Sequence, residues 1–213
     1  MAAQTRVFLE IGTKRVFASA ADWPGWCRSG KTENEAIENL ANHAPRYAKV
    51  AKLAQIPLPD DATNFTVVER MPGNGTTEFG APGVWARAEK DHQMTQHETD
   101  RRVALAEACW KYLDQVRAKA PEGLRKGPRG GGRDREKMYE HVLGAEVEYA
   151  KAIGIRLKQP DPSDAAAVKA FRQAMVDALN NPSPEGKWPV AYAIRRTSWH
   201  ALDHAWEMED RIP

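Results

Sequence analysis

Short runs of strand-forming residues characterise the first 71 positions. Residues 6–11 and 14–20 are rich in β-branched and aromatic side chains, and Gly12-Thr13 between them is typical of a tight turn. This pattern predicts a β-hairpin. A later run, residues 64–70, contains Phe65, Val67 and Val68 and predicts a third strand.

A helical pattern lies between the hairpin and the third strand. Thr32 followed by Glu35 is typical of a capping box, and apolar residues then recur at helical spacing as far as Ala54. These residues are Ala36, Leu40, Ala44, Tyr47, Val50 and Ala51. Pro57 and Pro59 are expected to end the helix. The sequence therefore predicts a small ββαβ domain over residues 1–71.

Residues 72–94 are rich in Gly, Pro and Thr and show no hydrophobic period. A segment of this length without a regular pattern is usually a linker or a functional lid. Phe79 and Trp85 are expected to pack against another part of the protein.

Residues 95–213 contain four amphipathic segments of similar length. The first runs from near Thr95 to Lys119, the second begins behind Asp134, the third behind Ser163, and the fourth at Pro189. Apolar residues recur at helical spacing along each segment, including Val103, Trp110, Met138, Val142, Phe171, Met175, Ile194 and Ala201. The sequence therefore predicts an α+β chain, in which an all-α up-and-down four-helix bundle follows the ββαβ domain.

Composition narrows the possible classes of function. The 213 residues are 42% hydrophobic, enough for a globular core, and the formal net charge is only +2, so neither nucleic-acid nor membrane-surface binding is favoured. Cys27 and Cys109 lie far apart in the sequence, which suits a reducing compartment. Without an apolar signal region or a membrane-spanning run, the chain is expected to be cytoplasmic.

His200 and His204 are the most informative residues for chemistry. Residues four apart lie on the same face of a helix, so two imidazoles at this spacing can bind one cation. The pair borders the arc of the fourth helix that is expected to be buried. The same pattern also fits two neutral core histidines that bond to nearby acceptors, so spacing alone leaves both interpretations open.

Two motifs resemble the DinB/YfiT-like superfamily of four-helix proteins. They are Tyr139-Glu-His-Val-Leu-Gly-Ala-Glu146 on the second long helix and Trp199-His-Ala-Leu-Asp-His-Ala-Trp-Glu207 on the fourth, and the resemblance covers residues 95–212. It implies that His141, His200 and His204 bind a divalent metal. Helical periodicity supports this assignment independently, since His141 lies on the same side as the inward residues Met138, Ala145 and Ala152.

Three imidazoles would leave a zinc, nickel or iron ion with an open position for water or substrate. The resemblance implies a metal-dependent transferase or isomerase that acts on a small molecule with a low-molecular-weight thiol such as mycothiol, bacillithiol or glutathione. Glu207 and Glu148 are candidates to orient the histidine ligands, the alternative being solvated carboxylates at a helix edge.

The N-terminal block resembles the HicB-like fold of antitoxins. The resemblance rests on Ala21-Asp-Trp-Pro-Gly-Trp-Cys-Arg-Ser-Gly-Lys-Thr32 and on residues 35–40, and it covers about residues 5–71. No antitoxin-type DNA-binding segment is evident. An alternative function is therefore a non-enzymatic module whose HicB-like part binds a partner while the bundle forms a dimerising platform. Trp23 and Trp26 would be either a partner surface or packing residues, and packing is the expected role.

A basic, glycine-rich segment connects the first two long helices. Arg125, Arg129 and Arg133 could bind a carboxylate or phosphate on a substrate, or touch nucleic acid. The alternative, a solvated connection between helices, is favoured because aromatic stacking residues and a phosphate-loop spacing are missing. Nucleic-acid binding is accordingly not expected.

Overall fold

The computed structural model describes residues 4–127 and 132–213. A four-stranded sheet forms the N-terminal part and helices follow it, so the chain is mixed α and β. The elements are β1 (Thr5–Ile11), β2 (Val16–Ala20), β3 (Cys27–Gly30), α1 (Glu33–Asn42), α2 (Ala44–Leu53), β4 (Phe65–Pro72), α3 (Gly75–Phe79), α4 (Arg87–Asp91), α5 (Gln96–Lys119), α6 (Arg135–Ala152), α7 (Ala165–Asn180) and α8 (Val190–Asp210).

The sheet has the strand order β3-β2-β1-β4. β1 and β2 form the predicted antiparallel hairpin, and β4 joins β1 in parallel at the opposite edge from β3. The predicted ββαβ order is incomplete, because β3 was not expected. This strand follows the turn at Gly25, whose φ of +92° favours glycine and whose Cα approaches Leu202 so closely that a Cβ would lie 2.8 Å from the Leu202 Cδ1.

The helix predicted from Thr32 to Ala54 is two helices. Thr32 caps α1 by accepting a hydrogen bond from the Glu35 N–H at 3.2 Å, as its sequence indicated. The break falls at His43, and Pro45 lies in the first turn of α2. Proline has no N–H, and its ring would clash with the carbonyl of residue 41, so one helix cannot continue through this point.

Trp23 and Trp26 are packing residues, with exposed fractions of 7% and 0%. Trp26 stacks on Tyr47 of α2 at a ring-centroid distance of 5.4 Å and donates its indole N–H to the Leu40 carbonyl at 2.8 Å. The Tyr47 hydroxyl donates to the Pro24 carbonyl at 2.9 Å. The turn between β2 and β3, which contains Trp23 and Trp26, is therefore fixed by aromatic contacts and by buried donors that have hydrogen-bond partners.

The segment 72–94 is more regular than its sequence suggested, because it contains α3 and α4. Glu10 of β1 connects the backbone of this segment to the sheet. Its carboxylate is 2% exposed and accepts hydrogen bonds from the N–H groups of Gly83 and Val84 at 2.9 and 3.1 Å. Trp85 packs edge-on against Tyr192, as expected, but Phe79 is 94% exposed and the prediction that it packs is wrong.

The four long helices begin close to the predicted positions, and α5 ends at the predicted Lys119. The cap of α7 is Asp164, one residue after the predicted Ser163, and its carboxylate accepts from the Ala167 N–H at 2.9 Å. α8 packs against α5, α6 and α4, while α5 also contacts α2 and α7. In the described part of the chain no helix combines the length and apolar character that crossing a membrane requires.

One apolar core extends from the sheet into the long helices. It includes Val7 and Leu9 of β1, Leu113 of α5, and Ile194 and Leu202 of α8. The boundary predicted near residue 72 therefore separates two patterns of secondary structure that share a continuous interior.

A buried ion pair also joins α8 to α4. Nε and Nη2 of Arg195 donate to the two carboxylate oxygens of Glu89 at 2.6 and 2.9 Å, and the two side chains are 2% and 4% exposed. The Arg195 Nη2 also donates to the Val84 carbonyl at 2.9 Å. This network fixes α4 and the chain before it against α8.

We expect Glu89→Ala to lower the free energy of unfolding by about 3–5 kcal/mol, because Arg195 would remain buried without its counter-charge. Urea unfolding followed by circular dichroism measures the change. The matched control is Glu148→Ala, which removes one side of an exposed pair with Lys151 and should cost below about 0.5 kcal/mol. Equal losses in the two variants would contradict the role given to the buried pair.

Candidate metal centre

Three histidines converge between α6 and α8. His200 and His204 lie one turn apart on α8, His141 reaches them from α6, and each offers a ligand nitrogen within 4.8 Å of the other two. The Nε2 atoms of His200 and His204 are 3.2 Å apart, and the ring centroids of His141 lie 5.1 and 5.0 Å from those of His200 and His204. The structure thus brings together the three residues that the sequence singled out.

Packing of α6 on α8 explains this convergence. Met138 and Val142, next to His141 on the inner side of α6, are fully buried, and α8 is enclosed over most of its length. His200 and His204 are 6% and 9% exposed, whereas His141 is only partly buried. The cluster therefore lies at the edge of the core, and its His141 side is the more open one.

The geometry suits a divalent transition metal. Tetrahedral coordination with metal–nitrogen distances of 2.0–2.1 Å places two ligand nitrogens about 3.3 Å apart. The 3.2 Å between the two Nε2 atoms on α8 is close to that value. Three imidazole donors suit zinc, nickel or iron better than calcium or magnesium, which prefer oxygen.

Two of the histidines are held in the neutral form that metal binding requires. Burial, with smaller contributions from His204 and Arg133, lowers the pKa of His141 to about 4. Burial and the neighbouring His204 and Arg196 also lower the pKa of His200 well below its ordinary value. Near pH 7 these rings therefore offer lone pairs without first losing a proton.

His200 also has an unsatisfied ring nitrogen. Its Nδ1 is enclosed and has no hydrogen-bond partner within residues 4–127 and 132–213. Leaving such a buried polar atom unpaired costs about 1–3 kcal/mol, and proteins tolerate this cost mainly where a site serves a function.

Glu207 orients His204. The Nδ1 of His204 and the Glu207 Oε2 are 3.0 Å apart, and Arg211 donates to the other carboxylate oxygen at 2.8 Å. The hydrogen bond to His204 is the largest cause of a lowered pKa at Glu207, so the carboxylate is ionised and can accept the Nδ1 proton. This leaves the Nε2 lone pair of His204 directed at the other histidines.

Glu148, the other predicted orienting carboxylate, does not lie at the cluster. Its side chain is 70% exposed, and it pairs with Lys151 at 3.9 Å. Although Glu148 has nearly the same helical angle as His141, seven residues place it about 10 Å farther along α6, so the prediction for Glu148 is wrong. Asp203 pairs with Arg28 of β3 at 3.1 Å and links the sheet to α8.

The three candidate anion-binding arginines, for which a solvated connection was the favoured interpretation, differ in position. Arg129 lies outside the described residues. Arg125 is a structural contact, since its Nη2 donates at 2.7 Å to the carbonyl of Asp210, the last residue of α8. Arg133 is exposed and close enough to the cluster to lower the pKa values of His141 and His200.

Arg196, Trp199 and Tyr149 lie beside the cluster and were not predicted as site residues. Arg196 precedes His200 by one helical turn and is 9% exposed, and its guanidinium carbon lies 4.7 Å from the Trp199 ring and 5.5 Å from the Tyr149 ring. The Tyr149 ring is 5.8 Å from that of His200. The spacing of four to His200 was a signal that could have placed Arg196 at the site.

Comparison of the chain with models of known protein families, with curated proteins and with solved structures gives no match. The functional interpretation therefore depends on the chemistry of this cluster and its surroundings.

We expect Glu207→Ala to weaken Zn²⁺ affinity by about 10–100-fold, because His204 would lose the carboxylate that fixes its ring. Competition with a chromophoric chelator at pH 7 measures this affinity. Glu148→Ala is the matched control and should leave it unchanged, since that carboxylate faces solvent. A similar loss in both variants would contradict the orienting role of Glu207.

Proposed function

We propose that this chain is a divalent-metal-dependent enzyme that acts on a small molecule. The observation that carries the proposal is the convergence of His141, His200 and His204, whose ligand atoms lie within 4.8 Å of one another. Three protein ligands leave a tetrahedral ion one open position, the arrangement that distinguishes catalytic zinc from structural zinc. Zinc, nickel and iron are all compatible with this donor set.

The open position determines the chemistry that the site would support. A bound metal can lower the pKa of a coordinated water or thiol toward neutrality and thereby supply a nucleophile. We infer a transferase or isomerase that uses a low-molecular-weight thiol, on the basis of the resemblance of residues 95–212 to DinB/YfiT-like proteins. Four long helices in that region, with α8 packed against α5 and α6, support an up-and-down bundle of this type.

The N-terminal block is assigned by resemblance to a HicB-like fold, with β3 as an addition to the expected order of elements. A partner-binding module without enzymatic activity has less support than a metal enzyme. The aromatic surface considered for a partner consists of Trp23 and Trp26, and both are buried. The proposed role of the block is to hold α8, which carries two of the three histidines.

Metal content tests the first part of the proposal. Protein loaded with Zn²⁺ and dialysed should retain about one equivalent by elemental analysis, and His200→Ala and His141→Ala should each retain less than about half an equivalent. The control is His97→Ala, which removes an exposed histidine at the start of α5. Full retention of metal by His200→Ala would refute the proposed site.

Thiol binding tests the second part. In Co²⁺-substituted protein, a thiol that coordinates the metal should add a sulfur-to-metal charge-transfer absorption, because the open position admits one further ligand. Glutathione, bacillithiol and mycothiol are compared with their S-methyl derivatives, which lack an ionisable thiol. A metal-loaded protein whose spectrum is unaffected by all three thiols would exclude the thiol-dependent mechanism while leaving the metal site intact.

A further inference from the structure

Arg196 has no counter-ion in the described residues, unlike the enclosed arginines Arg172 of α7, Arg195 of α8 and Arg211, which follows α8. Arg195 pairs with Glu89 at 2.6 Å, Arg172 with Asp114 at 2.9 Å, and Arg211 with Glu207 at 2.8 Å. Arg196 is 9% exposed and forms no ion pair within the described residues, and its Nη1 is buried without a hydrogen-bond partner. Because buried charges are normally paired, the missing partner indicates a place for an anion.

Contacts place this unpaired cation beside the histidine cluster. Arg196 and His200 are four residues apart on α8 and therefore lie on the same face of the helix. Both contact Tyr149: the Arg196 guanidinium carbon is 5.5 Å and the His200 ring 5.8 Å from its ring. Both also contact Trp199, at 4.7 and 5.9 Å. A ligand bound at the cluster would thus be within reach of the guanidinium.

Aromatic packing limits how that guanidinium can bind a ligand. Trp199 and Tyr149 provide cation–π contacts, which stabilise a buried charge but leave its N–H donors unsatisfied. The free Nη1 can donate only along the edge of the planar group. A carboxylate, which is planar and carries two acceptor oxygens, matches this edge better than a neutral acceptor does.

A series of aromatic contacts extends from this point toward the surface. Trp188 packs on Tyr149 and Tyr192 with centroid distances of 5.4 and 4.9 Å, and Tyr192 contacts Trp85 at 5.5 Å. Trp85 is 39% exposed and Trp188 is partly exposed. The two accessible rings, Trp85 and Trp188, would provide apolar surface for the body of a ligand whose charged end reaches Arg196.

We propose that Arg196 binds a carboxylate of the substrate, and that the substrate class is a small carboxylic acid with an apolar or aromatic body. The proposal rests on the proposed metal-dependent function, in which the same molecule would extend toward the histidine cluster. Arg196 is then a specificity-determining residue, while His141, His200 and His204 hold the metal.

Calorimetric titration of the full chain with benzoate tests the proposal, both after Zn²⁺ loading and after metal removal with EDTA. Benzoate should bind both forms, and Arg196→Gln should weaken its binding by about 10–100-fold, the range expected when a charge-assisted hydrogen bond is lost. Zn²⁺ content should stay near that of the wild type. The matched control is Arg70→Gln, which removes an exposed arginine of β4 and should leave benzoate affinity unchanged.

Other outcomes separate the two proposals. If the wild type retains no Zn²⁺ but still binds benzoate through Arg196, the metal enzyme fails and the carboxylate site stands. Benzoate binding that is equal in the wild type and Arg196→Gln would overturn the role of Arg196. Should Arg196→Gln fail to fold, the wild type decides alone: binding of neutral benzamide or of inorganic phosphate as tight as that of benzoate would overturn the assignment to carboxylates.

Discussion

The enclosure of α8 is the constraint on which the rest of the structure depends. Residues 191–202 of this helix are all buried, yet they include Arg195, Arg196 and His200. A buried polar group needs a partner, so each of these side chains dictates what must surround it. Glu89 satisfies Arg195 from α4, whereas Arg196 and one nitrogen of His200 are left without a protein partner in the described chain. These two residues lie four apart on α8 and therefore share one face of the helix, where both contact Tyr149.

The sheet and the turn before β3 fix α8 through residues other than the histidines. Arg28 of β3 pairs with Asp203, Phe17 of β2 packs edge-on against Trp199 at 6.1 Å, and Gly25 lies against Leu202. A ligand cluster keeps its geometry only when its helices cannot rotate, since a few tens of degrees would move an imidazole out of range. The N-terminal block therefore contributes to the site through packing, without supplying a residue to the histidine cluster.

The sequence predicted those features that depend on local pattern. The hairpin, the Thr32 cap and the four long helices follow from periodicity and from turn and cap residues over ten or more positions. β3 has only four residues, Cys-Arg-Ser-Gly, which are too few and too polar to show a strand pattern, and its strand conformation comes from antiparallel pairing with β2. The five-residue helices α3 and α4 are too short to show a hydrophobic period.

In the candidate site, too, the residues that depend on local pattern were predicted and those that depend on tertiary packing were not. Spacing on one helix identified His200 and His204, and resemblance together with the face of α6 added His141. The position of Arg196 beside the cluster was not predicted, because a charged residue is normally expected on the solvent side of a helix. Its burial follows from tertiary packing. The prediction for Glu148 was wrong because it considered only the angle around the helix. The distance along the helix axis, which separates Glu148 from His141, was left out.

The ionisable residues along one side of α8 differ between the two ends of the histidine cluster. Arg196, His200, His204, Glu207 and Arg211 follow one another at spacings of three or four residues and form a continuous stripe. At its C-terminal end the charge of Arg211 is paired, because Glu207 bonds both His204 and Arg211. At its N-terminal end it stops at an unpaired cation surrounded by aromatic rings. Under the proposed function, an anionic ligand would therefore gain more from Arg196, which has no counter-ion in the described residues, than from the paired Arg211, and it would lie between Arg196 and the histidines.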